Sequence, residues 1–477
     1  MNVLNQILIF GLLGLGVLQA CQEDELPNYS PPEAAEVGVD FYLTTPDQSN
    51  LVSLQENMVF PLTENNNFTI AVNENEVYQS MDGFGFCLTG GSALVINGMS
   101  SSARSGLLNE VFGSQEGELA SSYLRISIGA SDLDTSVFTY NDLSSGQTDP
   151  NLTQFSIDPD RANLIPVLKE ILMIQPELKI LATPWTAPSW MKTNGSSIGG
   201  ELQPQYYDTY AQYFVRYIQA MQAEGIRIDA ITVQNEPENP FNNPSMLMTA
   251  AQQVDFVGNH LGPAFAGAGI DTKIIAFDHN PDNTGYPIAV LNDPTANSYI
   301  DGSAFHLYAG QIDNLSLVHN AHPDKNIYFT EQWVQAPGNF EEDIRWHFRE
   351  LVIGATRNWS KTVLEWNLAA NPNNGPFTPG GCTECLGAVT IDGNNVSRNP
   401  AYYIIAQASR FIPPGSQRIA SNDVNDLPNV AFKTPEGKVV VIVLNNSDSQ
   451  RTFNINSSQE PITTSLPAGA AGTFVWQ

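Results

Sequence analysis

Basic side chains are scarce in this chain. Its 477 residues carry 20 Lys and Arg against 50 Asp and Glu, a formal net charge of −30. No Lys or Arg occurs before Arg104. This balance disfavours nucleic acid as a partner, because its phosphates would be repelled. It disfavours an anionic polysaccharide for the same reason and suits a neutral one. Part of the acidity needs no partner at all, since it keeps an exported protein soluble. Histidine is sparse too: the six present show no metal-ligand spacing, so neither a metal nor another cofactor is expected. The four cysteines include one lone C-x2-C, Cys382 and Cys385, with no second pair nearby to complete a zinc site. In an oxidising compartment these two are expected to pair with each other. So short a ring adds little loop-closure stability, and its use would be to stiffen a Gly-rich loop. Cys87 reads as a buried free thiol. The Gly-rich stretch Gly83 to Gly91 lacks the Lys-Ser/Thr of a phosphate loop.

Long apolar runs are missing as well. Ile7 to Val17 is too short to span a bilayer but suits the core of a signal peptide. It ends in Leu18-Gln19-Ala20-Cys21, which resembles a bacterial lipoprotein cleavage box with Cys21 as the lipidated residue. The acidic Gln22-Glu23-Asp24-Glu25 is similar to an export tag of surface lipoproteins, and Pro27, Pro31 and Pro32 follow as a tether. The usual basic n-region is absent. The expectation is a lipoprotein of the outer membrane, cell surface or periplasm, touching membrane only through its N-terminal lipid.

What the chain does have is an ordered series of strand-like runs. Eight can be placed: Met81–Cys87, Tyr123–Ile128, Lys179–Thr183, Ala230–Gln234, Lys273–Phe277, Gly302–Leu307, Asn326–Thr330 and Thr362–Trp366. Helical patterns lie between most of them. The clearest runs from Pro204 to Glu224, with Tyr206, Tyr210, Tyr213, Phe214, Tyr217 and Met221 near helical spacing and Gly225 as a stop. Another covers Phe340 to Arg357. Eight strand–helix alternations argue for a closed parallel (β/α)8 barrel. Short alternating strands precede it, and Val439–Leu444, Thr452–Ile455 and Thr473–Trp476 follow it. Neither set can bury its faces alone, so the two are expected to join in one β-sandwich. The organisation is then signal peptide over 1–21, linker over 22–36, first part of the sandwich over 37–78, barrel over 79–404 and the rest of the sandwich over 405–477.

Two glutamates mark the chemistry. Glu236 lies in Ile231-Thr232-Val233-Gln234-Asn235-Glu236-Pro237, and Glu331 in Ile327-Tyr328-Phe329-Thr330-Glu331-Gln332-Trp333. They end the fourth and seventh runs, which face one another across a barrel. The C-terminal ends of barrel strands are where such folds keep their active sites. A pair of carboxyl groups about 5–5.5 Å apart is the minimum equipment of a retaining glycosidase.

A string of motifs extends this reading. Asp82-Gly83-Phe84-Gly85 opens the barrel. Leu124-Arg125-Ile126-Ser127-Ile128-Gly129-Ala130-Ser131-Asp132 and Pro184-Trp185-Thr186-Ala187-Pro188-Ser189-Trp190-Met191-Lys192-Thr193 follow. Then come Asn235-Glu236-Pro237, His306-Leu307-Tyr308, Thr330-Glu331, Glu365-Trp366-Asn367-Leu368 and Phe411-Ile412-Pro413-Pro414-Gly415-Ser416. From about Tyr78 to Ile419 the chain resembles glycoside hydrolase family 30, which holds bacterial β-glucanases and animal glucosylceramidase. The resemblance implies a (β/α)8 barrel with a β-sandwich built from both chain ends.

It also implies roles. Glu236 is similar to the family's acid/base and Glu331 to its nucleophile. Arg125 and Tyr308 would keep Glu331 ionised. Asp132, Trp185 and Asn235 match positions that bind the sugar, with Trp366 offering an apolar face and His306 lining the pocket and orienting a neighbour. Glu236 is expected to have a raised pKa from burial and from the charge of Glu331. No role is assigned to Asp278, His279 or Trp333. The implied activity is retaining hydrolysis of a neutral β-glucan or gluco-oligosaccharide, with β-1,6 linkages first. A glucosylceramidase or broad β-glucosidase is the alternative, and a xylanase fits the few basic residues less well. A non-catalytic glycan-binding surface lipoprotein is the reading of a different class, against which the intact Glu236, Glu331, Arg125 and Tyr308 speak.

Overall fold

The two longest strands ahead of the barrel are β1 (Gly38–Thr44) and β2 (Phe68–Ser80), with the two-residue strands Ser53–Leu54 and Met58–Val59 between them. The computed structural model describes residues 38–56, 58–59, 65–457 and 461–477. The expected signal peptide, Cys21 and the linker lie outside the described residues. Eight strands then close a parallel barrel. They are β3 (Gly83–Leu88), β4 (Tyr123–Ile128), β5 (Lys179–Pro184), β6 (Ala230–Thr232), β7 (Lys273–His279), β8 (Ile300–His306), β9 (Asn326–Glu331) and β10 (Ser360–Asn367). All eight expected runs are present within a few residues. The fourth is shorter than expected: β6 stops at Thr232, so Glu236 lies in the loop beyond it and does not end the strand. Arg125 sits in the middle of β4.

The helices pack outside. Tyr207–Ala223 buries Tyr210, Tyr213, Phe214, Tyr217 and Met221 on one face. Gly225, at φ 81°, takes the left-handed turn that releases the chain toward β6. The second expected helix is α-helical over Phe340–His347 and continues as a π-helix over Phe348–Ala355.

The barrel interior is layered by the two-residue period of its strands. Tyr123, Leu181, Ala230, Ile275, Ala304, Tyr328 and Leu364 form one apolar layer. Two residues further along, the same strands present Arg125, Thr183, Thr232, His306, Thr330 and Trp366. The floor of the barrel mouth is therefore mostly polar. Strand β7 departs from the alternation. Its counterpart by spacing is Phe277, yet Phe277 packs in the outer core, and Asp278 reaches Arg125 instead. Phe277 and Asp278 have φ of 69° and 75°, and the pairing with β8 shifts register there. A bulge thus exchanges which side chain faces inward.

Beyond the barrel come β11 (Gln417–Ser421), β12 (Asn429–Lys433), β13 (Val439–Leu444), β14 (Arg451–Asn456), β15 (Ile462–Leu466) and β16 (Ala471–Trp476). In the second sheet β1 pairs with β16, and β2 lies between β11 and β14. Both chain ends thus build the β-sandwich. Its core holds Val39, Phe41, Ile70, Val441, Phe453 and Phe474, with the Phe41 and Phe474 rings stacked at 4.6 Å. Burying each such side chain contributes about 1.5–3 kcal/mol. Gln407, on the helix Pro400–Ser409, ties the two parts together: its amide accepts from Thr44 Oγ1 (2.7 Å) and donates to Tyr42 O (2.8 Å) and Thr473 Oγ1 (3.1 Å).

Candidate active site

Arg125 organises the floor of the mouth. Its guanidinium is wholly buried. It donates to Glu331 Oε2 (2.5 Å), Asp278 Oδ2 (2.8 Å), Asn235 Oδ1 (2.7 Å) and Thr183 Oγ1 (3.2 Å). Its Cζ lies 4.9 Å from the Trp185 ring centre and 5.8 Å from that of Trp366. Burial alone would favour the neutral form, but Asp278 and Glu331 outweigh it and hold the charge firmly in place.

Glu331 is the last residue of β9 and is 6% exposed. Tyr308 Oη donates to its Oε1 at 2.8 Å. Burial and the charge of Glu331 raise the phenol well above its ordinary value, so it stays a donor. Both oxygens of Glu331 are thereby held, one by a cation and one by a hydroxyl.

Glu236 faces it. Its φ is 45°, an uncommon conformation for a non-Gly residue, fixed by Glu236 N donating to Asp278 O (3.0 Å). Oxygens of the two glutamates lie within 4.8 Å of each other. An approach this close fits the roughly 5–5.5 Å of a covalent, retaining pair better than the roughly 6.5–9.5 Å of an inverting one.

His306 closes the cluster from below. Its Nδ1 is 3.2 Å from Glu236 Oε1, its Nε2 is 3.1 Å from Asp278 Oδ1, and Nδ1 is 3.8 Å from Glu331 Oε1. Burial opposes charge on the ring, but Glu331, Asp278 and Glu236 together raise it to about 9. The expectation of a raised Glu236 pKa is overturned here. Burial does push that carboxyl up, yet the hydrogen bond and charge of His306 outweigh it and lower it to about 2. His306 is also not a wall of the pocket as expected. It is wholly buried and acts on the carboxylates from beneath.

Glu236 and Glu331 open into a cavity of about 470 Å³, which three of the remaining expected residues line and Asn235 does not. Trp185, Trp366 and Asp132 line it, and the two indoles pack at 5.5 Å. Asn235 is 4% exposed with its carbonyl turned to Arg125, which leaves its NH₂ as the end that can donate elsewhere. Cys382 and Cys385 are disulfide-bonded and line the same cavity. Cys382 N donates to Asp132 Oδ2 at 3.2 Å. Burial and then Glu331 raise Asp132 to about 7 against that bond.

Three residues escaped the sequence reading. Asp278 is fully buried and accepts from Arg125, Thr232 Oγ1 (2.6 Å), Thr330 Oγ1 (2.7 Å) and His306, which keeps it ionised. Asn239 and Asn242 donate to Glu236 Oε2 at 2.8 and 3.3 Å. Asp278 carried one usable signal, an acid at the C-terminal end of a barrel strand. The two asparagines carried none beyond nearness to Glu236.

A (β/α)8 barrel with two buried glutamates meeting at the C-terminal mouth, one held by Arg and Tyr and the other by His, defines a glycoside hydrolase. Residues 81–412 match the glycosyl hydrolase family 30 TIM-barrel domain, and residues 415–474 match the glycosyl hydrolase family 30 beta sandwich domain. The chain belongs to glycosyl hydrolase family 30. It is 35% identical over 411 residues to endo-1,6-beta-D-glucanase neg1 of Aspergillus fumigatus, covering 80% of this chain and 82% of that protein. It is 30% identical over 430 residues to the lysosomal acid glucosylceramidase of Mus musculus, covering 84% and 82%. The solved structure of the endo-beta1,6-glucanase BT3312 superposes with a TM-score of 0.86 at 35% identity, covering 92% of this chain and 99% of that one.

Proposed function

We propose that this enzyme is a retaining endo-β-1,6-glucanase. The observation that carries the mechanism is the approach of Glu236 and Glu331 to within 4.8 Å over Arg125. The linkage is supported by the similarity to endo-1,6-β-glucanases at 35% identity over most of both chains.

In the first step a Glu331 oxygen attacks the anomeric carbon. The bond to the glycosidic oxygen breaks, that oxygen takes a proton from Glu236, and a glycosyl ester forms. Glu236 can draw that proton from His306 across their 3.2 Å hydrogen bond. In the second step Glu236 takes a proton from water, the water oxygen bonds to the anomeric carbon, and Glu331 leaves as a carboxylate. In this reading the Asn235 NH₂ holds the 2-hydroxyl, Asp132 accepts from hydroxyls, and Trp185 and Trp366 meet C–H faces of the ring. Cys21 is the proposed lipid anchor. Support for it comes from the sequence around Leu18 to Cys21 alone.

The test is product analysis on a β-1,6-glucan, laminarin, gentiobiose and glucosylceramide, joined to trapping with a 2-deoxy-2-fluoro-β-glucoside. Internal cleavage of the β-1,6-glucan and a labelled peptide containing Glu331 are expected. Release of ceramide with no action on the glucan would support the glucosylceramidase reading, which the identity to the murine enzyme favours. A label on any other residue would remove the nucleophile assignment.

A further inference from the structure

We propose that Phe241 is the stacking platform for the sugar on the leaving-group side of the scissile bond. This deepens the β-1,6-glucanase reading and rests on its assignment of Glu236 as the proton donor. Phe241 is 85% exposed, more than any other large apolar side chain among the described residues. Nothing in the packing of the fold requires an aromatic ring there. Yet it is not on an arbitrary surface: it lines the cavity that holds Glu236 and Glu331.

The loop places the ring with respect to Glu236. Phe241 N donates to Asn239 Oδ1 (3.1 Å), and Asn239 Nδ2 donates to Glu236 Oε2 (2.8 Å). On its other side, Asn242 Nδ2 donates to the same oxygen (3.3 Å). Two hydrogen bonds to the acid/base carboxylate therefore bracket Phe241 in sequence. The loop is held outward as well. Asn243 Nδ2 donates to Pro379 O (2.9 Å), and Asn243 Oδ1 accepts from Ser197 Oγ (3.1 Å). An exposed ring on a loop tied at both sides is pre-organised for a ligand.

The chemistry fixes which sugar it meets. A general acid must stand at the glycosidic oxygen, so the departing sugar emerges on the side of Glu236. A β-1,6 linkage joins through an exocyclic carbon and has one more rotatable bond than a linkage to a ring carbon. The departing ring can therefore turn its C–H face to an aromatic surface, a contact that selects a face and tolerates several torsions.

The experiment compares gentiotriose, which fills this position, with β-glucosyl fluoride, which has no second sugar. Phe241→Ala is expected to lower kcat/KM on gentiotriose at least ten times more than on the fluoride, mainly through KM, and Phe241→Trp to restore most of it. A uniform loss on both substrates, or no loss on either, overturns the proposal. Thermal unfolding of Phe241→Ala is expected to match the parent, since the ring is exposed. If the parent cleaves the fluoride but no gentio-oligosaccharide, the linkage assignment falls by itself. The same comparison on the oligosaccharide it does cleave then decides the platform, which is overturned if the Ala variant loses no more there than on the fluoride.

Discussion

His306 Nδ1 and Glu236 Oε1 stand 3.2 Å apart while the other ring nitrogen is engaged by Asp278. An imidazole with a carboxylate on each nitrogen carries two protons, or one of its neighbours does. Glu236 and His306 therefore share a single proton, and the pair titrates together. In the free site the ring holds it. The leaving group needs it on the carboxyl, one hydrogen bond away.

The pH profile of kcat/KM reports this. Activity is expected to fall as pH rises through about 9, where His306 loses the shared proton. In His306→Gln no cation stabilises the pair, and Glu236 alone must hold the proton. Its carboxyl then rises from about 2, under burial and the charge of Glu331, but stays below the imidazolium value. The alkaline limb should move to lower pH. A limb that stays in place in this variant would show that another group controls it.

Stability follows the same pair. His306 is raised from 6.5 to about 9, so its contribution is complete below pH 6.5 and is lost as pH rises toward 9. Glu236 is lowered from 4.5 to about 2, so its contribution is complete above pH 4.5 and is lost as pH falls toward 2. The Tm of the parent should be highest between these limits and decline on both sides. His306→Gln should flatten the pair's share of that curve.

Asp278→Asn removes the charge that holds Arg125 and His306 together while keeping the shape. Breaking a buried pair of this kind costs about 3–5 kcal/mol. The expected result is a lower Tm by thermal denaturation, a His306 that loses its proton at lower pH, and impaired turnover. Full activity with an unshifted alkaline limb would count against Asp278 as an organiser of the site.

Glu236→Ala should depend on the leaving group. An activated aryl β-glucoside needs little proton assistance, so it should suffer less than gentiobiose, for which the loss is expected at about 10²–10⁴-fold. Azide should restore deglycosylation and yield the β-glucosyl azide. Equal losses without azide rescue would remove the acid/base assignment.

The Cys382–Cys385 disulfide should matter to the sugar more than to the fold. It closes a ring of sequence separation 3, and its Cys382 N–H holds Asp132. Cys382→Ser with Cys385→Ser is expected to raise KM on gluco-oligosaccharides several-fold, with only a small change in Tm. A large fall in Tm with an unaltered KM would assign the bond to stability instead.

The barrel was legible because its strands are separated by strong helical patterns such as Tyr207–Ala223. Arg125, Glu236 and Glu331 stood out through their motifs, and the structure brings them together. Asp278 did not stand out, for a reason of backbone geometry. Strict alternation along Lys273–His279 turns Phe277 inward and Asp278 outward, and only the bulge at two residues of positive φ reverses them. The low pKa of Glu236 is hidden from the sequence for a related reason. Burial and Glu331 could be inferred from strand positions, but the imidazole wedged below could not, since a strand-end His gives no sign of which nitrogen meets which acid.

The pairing of β1 with β16 sets an order of events during synthesis. Residues 38–44 leave the ribosome before the barrel strands, and their partner at 471–476 leaves after all of them. Every strand of the barrel is available before then. Until that partner is made, β1 has only the short strands Ser53–Leu54 and Met58–Val59 to pair with, and a nascent chain halted after Asn367 should have a full set of barrel strands beside an unfinished sandwich.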